Sequence, residues 1–295
     1  MTETSLMTEP VRIALAQMCS GRDVAGNLEA IATFAADAKA DGALYLQTPE
    51  VSTMMEMRSA DLFAKAEPAE ANTALDRLAD IAAKTGLWLH VGSMVVRVGD
   101  DKVANRAVLF KPDGTIAATY DKMHMFDVTV GDGERYRESK NYRPGSQAVI
   151  VDTPFARIGL TICYDMRFPR LYAALADARA DIITVPSAFT VPTGKAHWHT
   201  LLRARAIETQ AFVLAAAQVG DHECGRSTYG HSLAIGPWGD VIADGGAEST
   251  GLVFADLDPA ALEKARGRVP SLEHGVPIIV THVDANNDQP KRAHA

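Results

Sequence analysis

Strands alternate with helices along most of the 295-residue sequence, which predicts one α/β or layered α+β domain. Two further observations support that class. Apolar residues make up 47% and charged residues 22%, the balance of a globular chain with a sizeable core. No Pro/Ser-rich linker, composition break, internal repeat or low-complexity tract divides the chain.

The elements follow in order. Val11 to Gln17 is a short apolar run, a buried strand. Val24, Leu28, Ile31 and Ala35 recur at helical spacing, so residues 23–40 read as an amphipathic helix, ended by Asp41-Gly42. Ala43 to Leu46 is a second strand. Leu75, Leu78 and Ala82 mark another helix, closed by Gly86. Leu87 to Val91 and Val103 to Phe110 are strands, with a turn at Lys111-Pro-Asp-Gly114. Ala148 to Val151 and Ala156 to Ile162 read as paired strands around Pro154. Phe168 to Ala178 is a helix, Asp181 to Val185 a strand, Gly194 to Gln210 a helix and Phe212 to Ala217 a strand. Short strands continue to about Ala255. The expected division is an N-terminal tail at 1–10, one domain at 11–283, and a polar C-terminal tail or arm at 284–295.

Composition excludes several classes. With 29 basic and 37 acidic side chains, 29 − 37 gives a net charge of −8, so no basic footprint for nucleic acid is expected. The longest apolar run, Ala211 to Ala217, is too short to span a bilayer. The first ten residues carry neither the basic nor the apolar region of a secretory signal. Three scattered cysteines, Cys19, Cys163 and Cys224, form no disulfide framework and point to a reducing, cytoplasmic setting.

Four segments stand out from scaffold. Leu44-Tyr-Leu-Gln-Thr-Pro-Glu50 leaves Glu50 past a strand end, where α/β ligand sites gather; a solvated turn acid is the plain alternative. Tyr120-Asp-Lys-Met-His-Met-Phe-Asp127 sets Lys122 in apolar company; a lone Lys is nearly always a solvated charge, and a desolvated, reactive ammonium is the alternative that this company opens. Ile158-Gly-Leu-Thr-Ile-Cys-Tyr-Asp-Met-Arg-Phe-Pro169 places Cys163 at a strand-to-helix turn. Such a turn can expose a nucleophilic sulfur beside free amides, though most free cysteines are buried and inert. Pro186-Ser-Ala-Phe-Thr-Val-Pro-Thr-Gly-Lys-Ala-His-Trp198 is a loop that leads into a helix, and Arg205 on that helix reads as a paired structural ion.

Other constellations are weaker. His197 and His199 are two apart on a helix and face apart, so a metal drawn from them with His222 and Cys224 is not expected. Gly131-Asp-Gly133 is no dinucleotide fingerprint, and Thr193-Gly-Lys-Ala196 is no P-loop. A Cys–His arrangement of Cys163 with His124 or His197 is open but has no protease signature.

Taken together, the segments resemble the nitrilase superfamily of carbon–nitrogen hydrolases from about Val11 to Val276. The resemblance rests on Glu50 in Gln47-Thr-Pro-Glu50, Lys122, Cys163 in Ile162-Cys-Tyr-Asp-Met-Arg-Phe-Pro169, and Glu138 before Pro144-Gly145, in the family's order. Pro186-Ser-Ala-Phe-Thr190, Thr193-Gly-Lys-Ala-His-Trp198, Leu201-Leu-Arg-Ala-Arg-Ala-Ile-Glu208, Tyr229-Gly-His-Ser232 and Pro237-Trp-Gly239 resemble its Nit branch, and most nearly the deaminated-glutathione amidases. Two stretches depart from the pattern: the methionine-rich Val51 to Ser59, and Cys224-Gly-Arg-Ser-Thr; both could line a pocket.

The resemblance implies a four-layer α-β-β-α sandwich that pairs through the helices after Phe168 and around Arg203 to Glu208, as a homodimer or higher homo-oligomer. It implies a cysteine-dependent amidase that acts on a small carboxylate-bearing amide, with a thioester intermediate and ammonia release. Cys163 is then the nucleophile, Glu50 the proton shuttle, Lys122 with the Tyr164 amide the oxyanion site, and Glu138 the group orienting Lys122 or water. Arg167, Phe189 and Thr193 are expected to bind substrate, Arg167 through a carboxylate; the alternative is that Arg167 pairs with Asp165 or with the dimer partner. No cofactor or metal is expected. The alternatives are an ω-amidase, a nitrilase, an N-carbamoyl amidase, or an inactive binding protein on the same scaffold.

Overall fold

The computed structural model describes residues 5–130, 134–283 and 291–292. Gly131-Asp-Gly133 and most of the polar C-terminal stretch lie outside the described residues. In chain order the elements are β1 (Val11–Gln17), α1 (Val24–Ala40), β2 (Tyr45–Gln47), α2 (Ser59–Lys65), α3 (Thr73–Thr85), β3 (Trp88–Arg97), β4 (Val103–Phe110) and β5 (Ile116–Asp121). Next come β6 (Asp127–Val130), β7 (Glu134–Arg137), β8 (Val149–Asp152), β9 (Arg157–Leu160), α4 (Pro169–Asp177), β10 (Ile182–Thr184) and α5 (Val191–Thr209). The last are β11 (Phe212–Ala215), β12 (Val219–Asp221), β13 (Ser227–Tyr229), β14 (Leu233–Ile235), β15 (Val241–Asp244), β16 (Gly251–Leu257) and α6 (Pro259–Arg268).

Two six-stranded mixed sheets form the centre, ordered β16-β1-β2-β3-β4-β5 and β15-β14-β11-β10-β9-β8. Strand β1 explains the layering. Ile13 and Leu15 join the core between the sheets, while Ala14 and Ala16 join the core under α1 and α3. Successive side chains point to opposite faces, and a strand apolar on both faces needs cover on both. On the far side, Leu171, Tyr172 and Leu175 of α4 and Trp198, Leu202 and Ala206 of α5 pack onto the second sheet. The order α-β-β-α results.

Helix ends follow local chemistry. The Asp23 side chain accepts from Gly26 N at the start of α1, and Gly86 closes α3 in the left-handed conformation at φ 65°. Helix α5 starts three residues before the expected Gly194, because Pro192 suits a first helical turn. Strand β3 runs on past Val91 to Arg97, with a register shift between Val91 and Met94. Gly92 sits inside that shift. A Cβ there would lie 2.0 Å from the Thr48 carbonyl oxygen and 2.4 Å from the Pro186 Cβ. Glycine therefore lets the turns after β2 and β10 close on one another.

Within the expected N-terminal tail, Leu6 N donates to Asp181 at 3.2 Å and Met7 is buried in the inter-sheet core. No helix among the described residues is long and apolar enough to cross a membrane.

Candidate active site

Strands β1, β2 and β3 run parallel, as do β9, β10 and β11. Glu50 follows β2, Cys163 follows β9 and Ala188 follows β10, so all three gather at the C-terminal edges of parallel strands, where open α/β sheets form ligand crevices. Lys122 directly follows β5 and Glu138 follows β7. Glu50, Lys122, Glu138 and Cys163 all line one cavity of about 290 Å³.

The ammonium of Lys122 is 2.9 Å from Glu50 Oε1 and 2.9 Å from Glu138 Oε2. Asn105 Nδ2 donates to both carboxylates, at 3.0 Å to Glu50 and 3.2 Å to Glu138. The Phe126 amide donates to Glu138 at 2.6 Å, and the Ala188 amide to Glu50 Oε2 at 2.9 Å. Lys122 is 2% exposed, so these contacts replace its water entirely.

Two residues of the site carry backbone strain. Cys163 has φ 47° and Val51, next to Glu50, has φ 49°, a region that non-glycine residues seldom enter. The Cys163 amide is held by the Pro186 carbonyl at 3.0 Å, and the Val51 amide by Ser93 Oγ at 2.8 Å. Asp165 locks the cysteine turn from below. It accepts from the Ile162 amide at 2.9 Å, the Tyr120 hydroxyl at 2.7 Å and the His124 amide at 3.1 Å.

Proton affinities follow from burial and charge. Burial pushes the Cys163 thiol up and the charge of Glu50 adds to it, outweighing the opposite pull of Lys122. The cysteine therefore rests as a neutral thiol, not as a preformed thiolate. Burial also pushes the Glu50 carboxyl up, but Lys122, Arg226 and hydrogen bonding outweigh it, so Glu50 is held below the ordinary carboxylate range. Burial draws Lys122 down, yet Glu138, Glu50 and Cys163 hold it well above its ordinary value. The site holds a proton donor thiol, an ionised carboxylate and a permanent cation in one desolvated space.

The expected binding residues divide into two groups. Tyr164, Phe189 and Thr193 line the cavity. Arg167 does not. Its guanidinium stacks near the rings of Phe189 and Tyr164, at 5.4 and 6.0 Å, and its Nη2 lies 3.2 Å from His197 Nδ1. Asp165 is held by other donors and is not its partner. Arg205 is paired as expected, with Glu208 and the Met166 carbonyl.

Neither histidine considered beside Cys163 is free to serve it. His124 is bound to Asp165 at 2.7 Å and stacked on Phe168, and His197 faces Arg167. His222 contacts Thr228 and the Ser20 carbonyl, so His197, His199 and His222 do not converge. Among the described residues, His199, His231 and Asp244 lie close enough to share an ion, and none of them lines the cavity.

Sequence reasoning missed Asn105, Asp165 and Arg226. Asn105 had a signal, a polar side chain inside the otherwise apolar start of β4. Arg226 lies in the unplaced Cys224-Gly-Arg-Ser-Thr stretch, and with Met55 and Met57 of the methionine-rich stretch it lines the cavity.

The sequence matches the carbon–nitrogen hydrolase family model over residues 12–267. It is 39% identical over 265 residues to the deaminated glutathione amidase of Yersinia enterocolitica, covering 89% of this chain and 92% of that one. The fold is similar to Saccharomyces cerevisiae Nit3, a member of branch 10 of the nitrilase superfamily, with TM-score 0.81 and 28% identity over 91% of this chain and 97% of that one. It is also similar to a Glu-to-Gln mutant of the amidase from Nesterenkonia sp. AN1 whose structure shows the result of Michael addition of acrylamide at the active site cysteine. There the TM-score is 0.74 with 28% identity, covering 88% of this chain and 98% of that one.

Proposed function

Because the chain belongs to the carbon–nitrogen hydrolase family and acts on amides, we propose that Cys163, Glu50, Lys122 and Glu138 hydrolyse a small carboxylate-bearing amide through a thioester. The observation that carries this reading is the buried Lys122 ammonium, 2.9 Å from each of two carboxylates in the cavity that Cys163 lines.

The Cys163 sulfur attacks the amide carbon while its proton passes to Glu50. Both shifts set the starting states, a neutral thiol and an ionised carboxylate; they make the transfer itself uphill, so the proton moves as the sulfur–carbon bond forms. The carbonyl electrons move to oxygen, which the Lys122 ammonium and the Tyr164 amide stabilise. Tyr164 is the second residue of a 3₁₀ turn, where amides have no partner within the turn. Protonated Glu50 then gives its proton to the leaving nitrogen, the carbon–nitrogen bond breaks, and the thioester remains. Water, deprotonated by Glu50, attacks the thioester and releases the acid and the thiol. Glu138 keeps Lys122 charged and in place through both halves. Every role is filled by a side chain or an amide, so the scheme uses no cofactor.

The name of the Yersinia relative supports deaminated glutathione as the substrate class. Deaminated glutathione carries only secondary amides, so its hydrolysis releases an amine-bearing fragment. Ammonia appears only from a primary ω-amide. We extend the reading to a homodimer in the cytoplasm. Ile278 and Ile279, each 87% exposed, and Ile207 on α5, 51% exposed, are apolar surface suited to a second copy. The three unpaired cysteines suit a reducing compartment.

The test is turnover of deaminated glutathione and of glutaramate, scored for both amine and ammonia. Cys163→Ala is expected to remove all measurable turnover, a loss of ~10⁴-fold or more, and to keep the native circular dichroism spectrum. Acrylamide is expected to alkylate Cys163 in Glu50→Gln protein, read by peptide mass spectrometry. Turnover retained by Cys163→Ala would falsify the nucleophile.

A further inference from the structure

Arg226 sits where the β12–β13 hairpin turns, and that hairpin is fastened to the cavity wall. The Tyr229 amide donates to the Phe189 carbonyl at 2.9 Å, and Thr228 forms a β-bridge with Thr190. Buried His222 contacts Thr228 Oγ1 at 2.7 Å and the Ser20 carbonyl at 3.0 Å. The His222 amide closes the turn onto the Arg226 carbonyl at 2.8 Å. The backbone of Arg226 is thus held in place by the fold itself.

Its side chain lines the cavity. Nη2 donates to the Ala188 carbonyl, and the guanidinium carbon lies 5.3 Å from the ring centroid of Tyr136. Nε is buried and has no hydrogen-bond partner. Among the described residues no carboxylate is within ion-pair distance of this guanidinium. Comparable arginines elsewhere do have acids: Arg106 binds Asp121 at 2.6 Å and Arg157 binds Asp152 at 2.8 Å. Lys122, the fully buried cation of the same cavity, is occupied by Glu50 and Glu138. A half-buried guanidinium that lines the cavity with no ion pair of its own, Glu50 feeling its charge only at longer range, is a seat for an anion.

We propose that Arg226 is a specificity-determining residue and takes the carboxylate of the amide substrate. The guanidinium fork matches a carboxylate in two-point fashion, and the ring of Tyr136 supports its face. Geometry also bounds the substrate. Arg226 is bonded to the carbonyl of Ala188, and Glu50 accepts from the amide of the same residue. Anion seat and proton shuttle therefore flank one residue, which suits an amide whose carboxylate lies a few bonds from the scissile carbon. This inference rests on the amidase reading.

Two measurements test it. The first is kcat/KM for glutaramate and for glutaramide, which differ by one charge. Arg226→Gln is expected to lower the glutaramate-to-glutaramide ratio by ~10- to 100-fold, the scale of a charged hydrogen bond, with Arg226→Lys between. An unchanged ratio, with both amides slowed alike, would assign Arg226 to holding Ala188 and Glu50 and overturn the proposal. The second is calorimetric titration of glutarate into Cys163→Ala protein, which needs no turnover. Adding Arg226→Gln is expected to raise its dissociation constant at least tenfold; binding that is absent or unaffected overturns the proposal. An enzyme inert to every amide would sink the amidase reading, and the glutarate titration would still judge Arg226.

Discussion

The two ends of the cavity are built in different ways. At one end Glu50, Cys163 and the Ala188 amide hang from parallel strand ends of the central sheets; Lys122 donates to Glu50 and to Glu138, and Glu138 also accepts from the Phe126 amide. At the other end Met55, Met57, Tyr136 and Arg226 come from segments outside the two sheets: the stretch after Glu50, the β6–β7 hairpin and the β12–β13 hairpin. At the first end the core that folds the protein also fixes Glu50, Cys163 and the Ala188 amide. The second rests on hairpins and loops that can change without disturbing either sheet. Chemistry is therefore built into the scaffold, and selectivity is attached to it.

Breaking the scaffold end should cost most. Lys122→Met removes the proposed oxyanion donor and takes away the ammonium that Glu50 and Glu138 share. Loss of one such donor costs about 10²- to 10³-fold in kcat. The two stranded carboxylates should also destabilise the fold by roughly 3–5 kcal/mol, the scale for breaking a buried ion pair. Steady-state kinetics with a urea melt on the same protein checks both. A change confined to KM, with an unaltered melt, would return Lys122 to the status of a spectator charge.

This division also explains what could be read from the sequence. Glu50 and Cys163 stood out because each follows an apolar run that reads as a strand, Lys122 because of its apolar company, and Glu138 only through the family resemblance. Strand β1 and the helices α1 and α3 were legible from their apolar patterns. Arg226 was not, because nothing local ties residue 226 to residue 188; only the pairing of β13 with the 187–190 loop brings them together. Helices α2 and α6 went unassigned, α2 because the methionine-rich stretch before it masks its start. The surroundings of Arg167 were not legible for a related reason. Four residues past Cys163 is close in sequence, but the 3₁₀ turn brings the guanidinium beside the rings of Tyr164 and Phe189, far apart from each other in the chain.

The pH profile sharpens the comparison at the scaffold end. Glu50 is held below the ordinary carboxylate range, so its base form persists as pH falls, and the acid limb of kcat/KM should lie below that range. Cys163 is held above the ordinary thiol value of 9.0, so no rise in rate should accompany titration between pH 8 and 9. A flat profile from about pH 6 to 9 is the expected result. A rate that climbs tenfold per unit through pH 8 would mean that the reactive species is a preformed thiolate, and the proton transfer to Glu50 would have to be dropped.

The smallest effect is expected at Arg167. Its guanidinium is not among the groups that line the cavity and lies beside His197 and near the rings of Tyr164 and Phe189. Lysine keeps the charge and the cation–π attraction but loses the planar stacking surface. Arg167→Lys should therefore loosen two wall residues slightly without removing an anion seat. Turnover of glutaramate and glutaramide should fall together by about threefold or less, the scale of an exposed cation–π contact. A selective rise in KM for glutaramate would put the carboxylate at the rim after all. It would then be Arg167, not Arg226, that divides charged amides from neutral ones.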